Sequence, residues 1–108
     1  MTEDHLPRIS PVEALREGAG TLIDVRRHAA RVADPRELRG APWCDPETLS
    51  PADLAALPDG RLLFFCVHGH QVSQFAAAFA RFHGRDAAYV AGGIEGLAAA
   101  GASMGAAQ

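Results

Sequence analysis

Two cysteines, Cys44 and Cys66, carry the nucleophilic potential of this chain, and their surroundings differ. Cys66 opens the run Cys66-Val67-His68-Gly69-His70-Gln71-Val72-Ser73-Gln74, which leads from an apolar stretch into a helical pattern. A thiol at such a junction meets the positive end of a helix dipole and the unpaired N–H groups of the loop. Both favour thiolate over thiol, and the thiolate is the nucleophile. Gly69 allows the loop to wrap. Cys44 follows Pro42-Trp43 in an irregular stretch with no such setting. Metal ligation by Cys66, His68 and His70 is the rival chemistry. Their alternate spacing suits an extended strand, not a wrapped loop, and no fourth ligand is near in sequence, so no metal is expected.

The hydrophobic pattern supplies the elements that must position this loop. Thr21 to Val25 is rich in β-branched residues and predicts a buried strand. Leu62 to Cys66 is apolar without alternation, as in a strand covered on both faces. Ala87 to Val90 predicts another strand. Ser10-Pro11-Val12-Glu13 and Ser50-Pro51-Ala52-Asp53 are helix starts with a capping serine and a proline in the first turn. Val72 to Phe82 predicts a helix whose apolar face is Val72, Phe75, Phe79 and Phe82, read as core. Ile94 to Ala100 predicts a short last helix. Arg26 to Arg39, broken by Pro35, reads as mainly loop. Ala41 to Cys44 reads as a short edge strand, with Trp43 and Cys44 filling the core. The tail 101–108 is expected to fray.

Strands alternating with helices imply a parallel sheet with helices on both faces, and ligands bind beyond the carboxyl ends of such strands. Three segments should therefore converge on one edge: Arg26-Arg27, the Cys66 loop and Gly92-Gly93. Asp24 and Arg26 are expected to brace the loop by an ion pair. Gly92 and Gly93 are expected to make a tight turn against it. Strand alternation would turn Arg27 elsewhere.

Composition narrows the classes. The chain has 108 residues, 48% hydrophobic and 21% charged, which predicts one domain spanning 1–108. A formal charge of −3 argues against a nucleic-acid binder that works by neutralising phosphates. No apolar run approaches the ~20 residues that span a bilayer, so no membrane partner is expected. Two cysteines and a polar N-terminus without an apolar leader core make a reduced, cytoplasmic setting the expectation.

Several of these segments together resemble the rhodanese family of sulfurtransferases. They are Ile9-Ser10-Pro11-Val12-Glu13, Leu22-Ile23-Asp24-Val25-Arg26, Gly40-Ala41, the strand into Cys66, and Gly92-Gly93-Ile94-Glu95-Gly96. The loop is similar to the Cys-x-His-Gly variant of single-domain members. The resemblance implies a three-layer α/β/α fold around a central, mainly parallel five-stranded sheet. It implies a catalytic Cys66 that carries sulfane sulfur as a persulfide, held by a loop from Val67 through His68, Gly69, His70 and Gln71 to Val72. Asp24, Arg26, Ser73, Gly92 and Gly93 would support that loop. The implied partners are a small-molecule sulfur donor (thiosulfate or a persulfide) and a cyanide or thiol acceptor, or a protein acceptor, with no cofactor.

The chain departs from the family pattern where charge would matter. Many active members carry Arg at the sixth loop position and Ser or Thr at the seventh; here these are Gln71 and Val72, with Ser73 one place later. The His usual before Gly40-Ala41 is missing, and Leu97 stands where Trp is common. A dianion such as thiosulfate gains most from a fixed cation, so the loop is expected to favour it poorly. His68 and His70 are the candidates for partial replacement charge. The alternatives are a non-catalytic sulfur-relay module and, by shared architecture, a phosphatase or arsenate reductase. The last needs an Arg six residues after the Cys, where this chain has Val72.

Overall fold

The computed structural model describes residues 6–106. Its central sheet is built from β1 (Arg8–Ile9), β2 (Leu22–Asp24), β4 (Leu62–Phe65) and β5 (Ala87–Val90). These run in the order β1-β5-β4-β2, every neighbouring pair parallel. Helices α1 (Pro11–Glu17) and α5 (Gly93–Ala99) cover one face; α3 (Pro51–Ala56) and α4 (Gln71–Phe82) cover the other. Successive residues of β4 therefore enter different cores. Leu63 and Phe65 pack with Ala14, Ile94 and Leu97, while Leu62 and Phe64 pack with Leu54 and the alanines of α4. Both phenylalanines are fully buried, each contributing on the order of 2 kcal/mol by removal from water.

The helix starts behave as their residues dictate. Ser10 and Ser50 each accept from the backbone N–H three residues on, and Glu13 and Asp53 return the bond to the cap backbone. The capping box thus closes both first turns.

Five expectations are corrected. The sheet has four strands, not five; beyond β2 stands a single bridge between Asp24 and Trp43. Pro42 offers its carbonyl to Asp24 N–H but has no N–H of its own, so Ala41 to Cys44 cannot extend into a ladder. The segment expected as loop contains α2 (His28–Ala33) and β3 (Arg36–Leu38). The tail does not fray at β6 (Met104–Ala106), which pairs antiparallel with β3; residues 107–108 lie outside the described residues.

Only part of the apolar stripe of α4 reaches the core: Val72 and Phe79 pack against it, half-buried, and Phe75 and Phe82 do not. The helix's buried side is Ser73, Ala76, Ala77 and Ala80, whereas Phe75 and Phe82 are 55% and 85% exposed. Small side chains let the helix approach the bulky Ile23 and Phe64 of the sheet, and close packing decides the orientation over side-chain size. The last correction concerns Arg27, whose place belongs to the site.

Candidate active site

Cys66 follows the last residue of β4, and the loop 66–70 carries the chain into α4. The loop is pressed against the turn between β5 and α5. Gly69 has φ +77°, and a Cβ there would stand 2.7 Å from the Val90 carbonyl oxygen. Gly93 has φ +57°, and a Cβ there would stand 2.3 Å from the Cys66 carbonyl oxygen. Only glycine tolerates both the conformation and the approach. Ile94 N–H donates to the Cys66 carbonyl at 2.8 Å and Glu95 N–H to the Val67 carbonyl at 3.4 Å. Gln74 Nε2 donates to the Gly69 carbonyl at 3.2 Å.

This wrapping aims donors at sulfur. Cys66 Sγ lies 3.2 Å from the hydroxyl of fully buried Ser73. Burial alone would push the thiol up. Hydrogen bonding from the Ser73 hydroxyl and from the backbone N–H groups of Ser73, Gly69 and His70 outweighs it, and the thiol is held below its ordinary value. His68 and His70 are exposed, with ring centroids 6.2 Å apart, and neither imidazole is a hydrogen-bond partner of Sγ.

Asp24 and Arg26 form the expected ion pair, but its further hydrogen bonds run to the α2–β3 segment and not to the Cys66 loop. Arg26 is fully buried, and its Nε and Nη2 donate to the Asp24 carboxylate at 3.0–3.2 Å. Its remaining reach is spent on the carbonyls of Asp34 at 2.9 Å and Arg36 at 2.7 Å. Trp43 Nε1 donates to the Arg26 carbonyl at 2.8 Å, and Arg31 lies over the indole at 4.6 Å. Arg26 thus ties β2 to the α2–β3 segment that sequence reasoning left as loop.

A cavity of about 490 Å³ opens above Cys66. Val67, His68, His70, Gln71 and Val72 form one side; Arg26, Arg27 and Ala30 form the other. Arg27 therefore does not turn away. β2 ends at Asp24, so strand alternation no longer governs a residue three positions on. The position of Arg27 at the converging strand end was expected; the direction of its side chain, into the cavity, was not. A larger hollow of about 840 Å³, lined in part by Glu37, Arg39 and Pro58, contains no Cys or His. The cavity over Cys66, which holds the nucleophile, is therefore the candidate site. Among the described residues, no three His, Cys, Asp or Glu side chains gather as a metal ion would require, and no helix is long and apolar enough to cross a membrane.

This architecture is the rhodanese-like α/β fold. No protein-family model and no curated protein matches the sequence. Solved structures do match. A rhodanese-related protein from Thermoplasma volcanium superposes with TM-score 0.76 at 20% identity, over 92% of this chain and 97% of that one. The rhodanese-like domain of a protein from Anabaena sp. gives 0.72 at 21% identity, over 94% of this chain and 80% of that one. A thiosulfate sulfurtransferase from Pseudomonas aeruginosa gives 0.72 at 22% identity, over 98% of this chain but 20% of that one.

Proposed function

We propose that the chain is a sulfurtransferase acting through a Cys66 persulfide. The observation that carries this reading is a buried Cys66 thiol at the end of β4, bonded to the Ser73 hydroxyl at 3.2 Å under a glycine-wrapped loop, a setting whose hydrogen bonding to the thiolate holds the thiol below its ordinary value. The thiosulfate sulfurtransferase among the matched structures shares the fold and adds support. With thiosulfate, Cys66 thiolate attacks the sulfane sulfur, the Sγ–S bond forms, the donor S–S bond breaks, and sulfite leaves with the bonding pair. The outer persulfide sulfur inherits the negative charge, where the Gly69 and His70 N–H groups can meet it. Cyanide then attacks that sulfur, thiocyanate leaves, and Cys66 returns as thiolate. No external oxidant or reductant enters, and the kinetics are ping-pong.

Intact-mass measurement after donor treatment tests the reading. One added sulfur on Cys66, lost on addition of cyanide with release of thiocyanate, supports it. A protein that takes up no sulfur from thiosulfate or any persulfide overturns it. Loading without turnover to cyanide or a small thiol favours a relay module that passes sulfur to a partner protein.

A further inference from the structure

The cavity over Cys66 does not end at the loop. A second cavity of about 360 Å³ adjoins it, and Arg27, Gln71 and Val72 line both. Pro46, Glu47 and Phe75 complete its walls. The exposed Phe75 of α4 thereby acquires a surrounding: it borders a groove that leads to the reactive sulfur.

The two guanidinium groups at this groove are in opposite states. Every donor-bearing nitrogen of Arg26 is engaged with Asp24, Asp34 and Arg36, and its side chain is fully buried. The Arg27 side chain is 60% exposed, and its one carboxylate neighbour among the described residues is Glu47 at 3.9 Å, itself 70% exposed. A pair this loose and this exposed is held by little and yields readily to another carboxylate. Gln71, at the loop position where a cation would serve, is neutral.

We propose that Arg27 is the specificity-determining cation of this site, and that the groove takes an organic persulfide bearing a carboxylate. The inference rests on the sulfurtransferase reading and deepens it. The donor's terminal sulfur reaches Cys66, its carbon body lies along Val72, Pro46 and Phe75, and its carboxylate displaces Glu47 from Arg27. In the transfer, Cys66 thiolate attacks the terminal sulfur of R–S–SH. The Sγ–S bond forms, the donor S–S bond breaks, and R–S⁻ departs with the electron pair, leaving Cys66–S–SH. A compact inorganic dianion would fill only the end of the groove nearest Cys66 and leave its apolar wall unused.

The test compares glutathione persulfide with 2-hydroxyethyl persulfide, whose body is neutral, by steady-state sulfur transfer to cyanide. Loss of one exposed charge contact is worth about threefold in affinity. Arg27→Gln is therefore expected to raise KM for glutathione persulfide about threefold with little change in kcat, and to lower the preference for it over the neutral donor by the same factor. Arg27→Lys should restore part of that preference, and Phe75→Ser should raise KM for both donors. An unchanged preference in Arg27→Gln, or equal loss with both donors, overturns the inference while leaving the sulfurtransferase reading standing. A parent protein that takes sulfur on Cys66 from thiosulfate but not from glutathione persulfide overturns the inference alone; failure to load from thiosulfate and from both persulfides overturns both readings.

Discussion

At Cys44 the thiol is partly buried beside the core formed with α3 and α4, and Asp53 adds a negative charge nearby; burial first, and that charge second, push it up. At Cys66 burial is deeper and pushes in the same direction, yet the thiol is lowered. The difference is the wrapped loop. Cys44 lies in a segment whose backbone N–H is committed to the Asp24 carbonyl. Cys66 lies where the chain reverses and its N–H groups turn inward. Depth alone does not set the reactivity of a thiol; the supply of donors does.

The largest effect should come from removing each sulfur. Cys66→Ser should abolish sulfur loading, and Cys44→Ser should retain most of it, by intact mass after donor treatment. Equal loss in the two variants would make Cys44 a relay thiol and end the contrast.

Next is the geometry that only Cys66 enjoys. Gly93→Ala would drive a methyl group into the Cys66 and Val67 carbonyls at a left-handed backbone position. It should cost roughly 3 kcal/mol in urea unfolding and most of the loading activity. Gly84→Ala, at φ +84° with nothing within 4 Å of the added Cβ, should cost about 1 kcal/mol and leave loading intact. Similar losses in both would mean that contact with the loop is irrelevant.

The pH dependence sharpens the comparison further. Because the Cys66 thiol is lowered, its alkylation by iodoacetamide should persist below the range of an ordinary thiol and fall as acid protonates the thiolate. Ser73→Ala removes a donor to the charged form, so the midpoint should rise by about one pH unit. The paired change His68→Gln and His70→Gln should move it less, since neither ring bonds to Sγ. A larger movement than in Ser73→Ala would put the imidazoles, not the hydroxyl, in control.

The smallest effect is expected from Gln71→Arg, which gives the Cys66 cavity a charge that neither thiol now has in its loop. KM for thiosulfate should fall by about threefold, the scale of an exposed charge contact. An unchanged value would show that loop charge does not govern the use of inorganic donors.

The Cys66 loop was legible because its determinants are local: an apolar strand, a glycine and a helix start follow one another in sequence. The Gly92-Gly93 turn was legible for the same reason. The segments missed are those that only distant partners stabilise. α2 buries no residue and carries no side-chain cap, so no amphipathic pattern announces it. β6 is Met-Gly-Ala, a poor strand former, and exists because β3 offers it an edge. For α4 the spacing identified an apolar stripe correctly but not how much of it faces the sheet. The alanines adjoining it fit more closely, a matter of volume that periodicity does not encode. Arg27 was misplaced because alternation was carried past the end of β2.

The seating of Gly93 on the Cys66 loop also sets a timescale. With Ile94 and Glu95 bonded to the carbonyls of Cys66 and Val67, the loop cannot swing open while α5 stays docked. Deuterium uptake at the loop N–H groups should therefore keep step with uptake at Ile94 and Glu95, as one cooperative opening unit. The loop N–H groups would release a sulfur parked on Cys66 no faster than that helix end lifts.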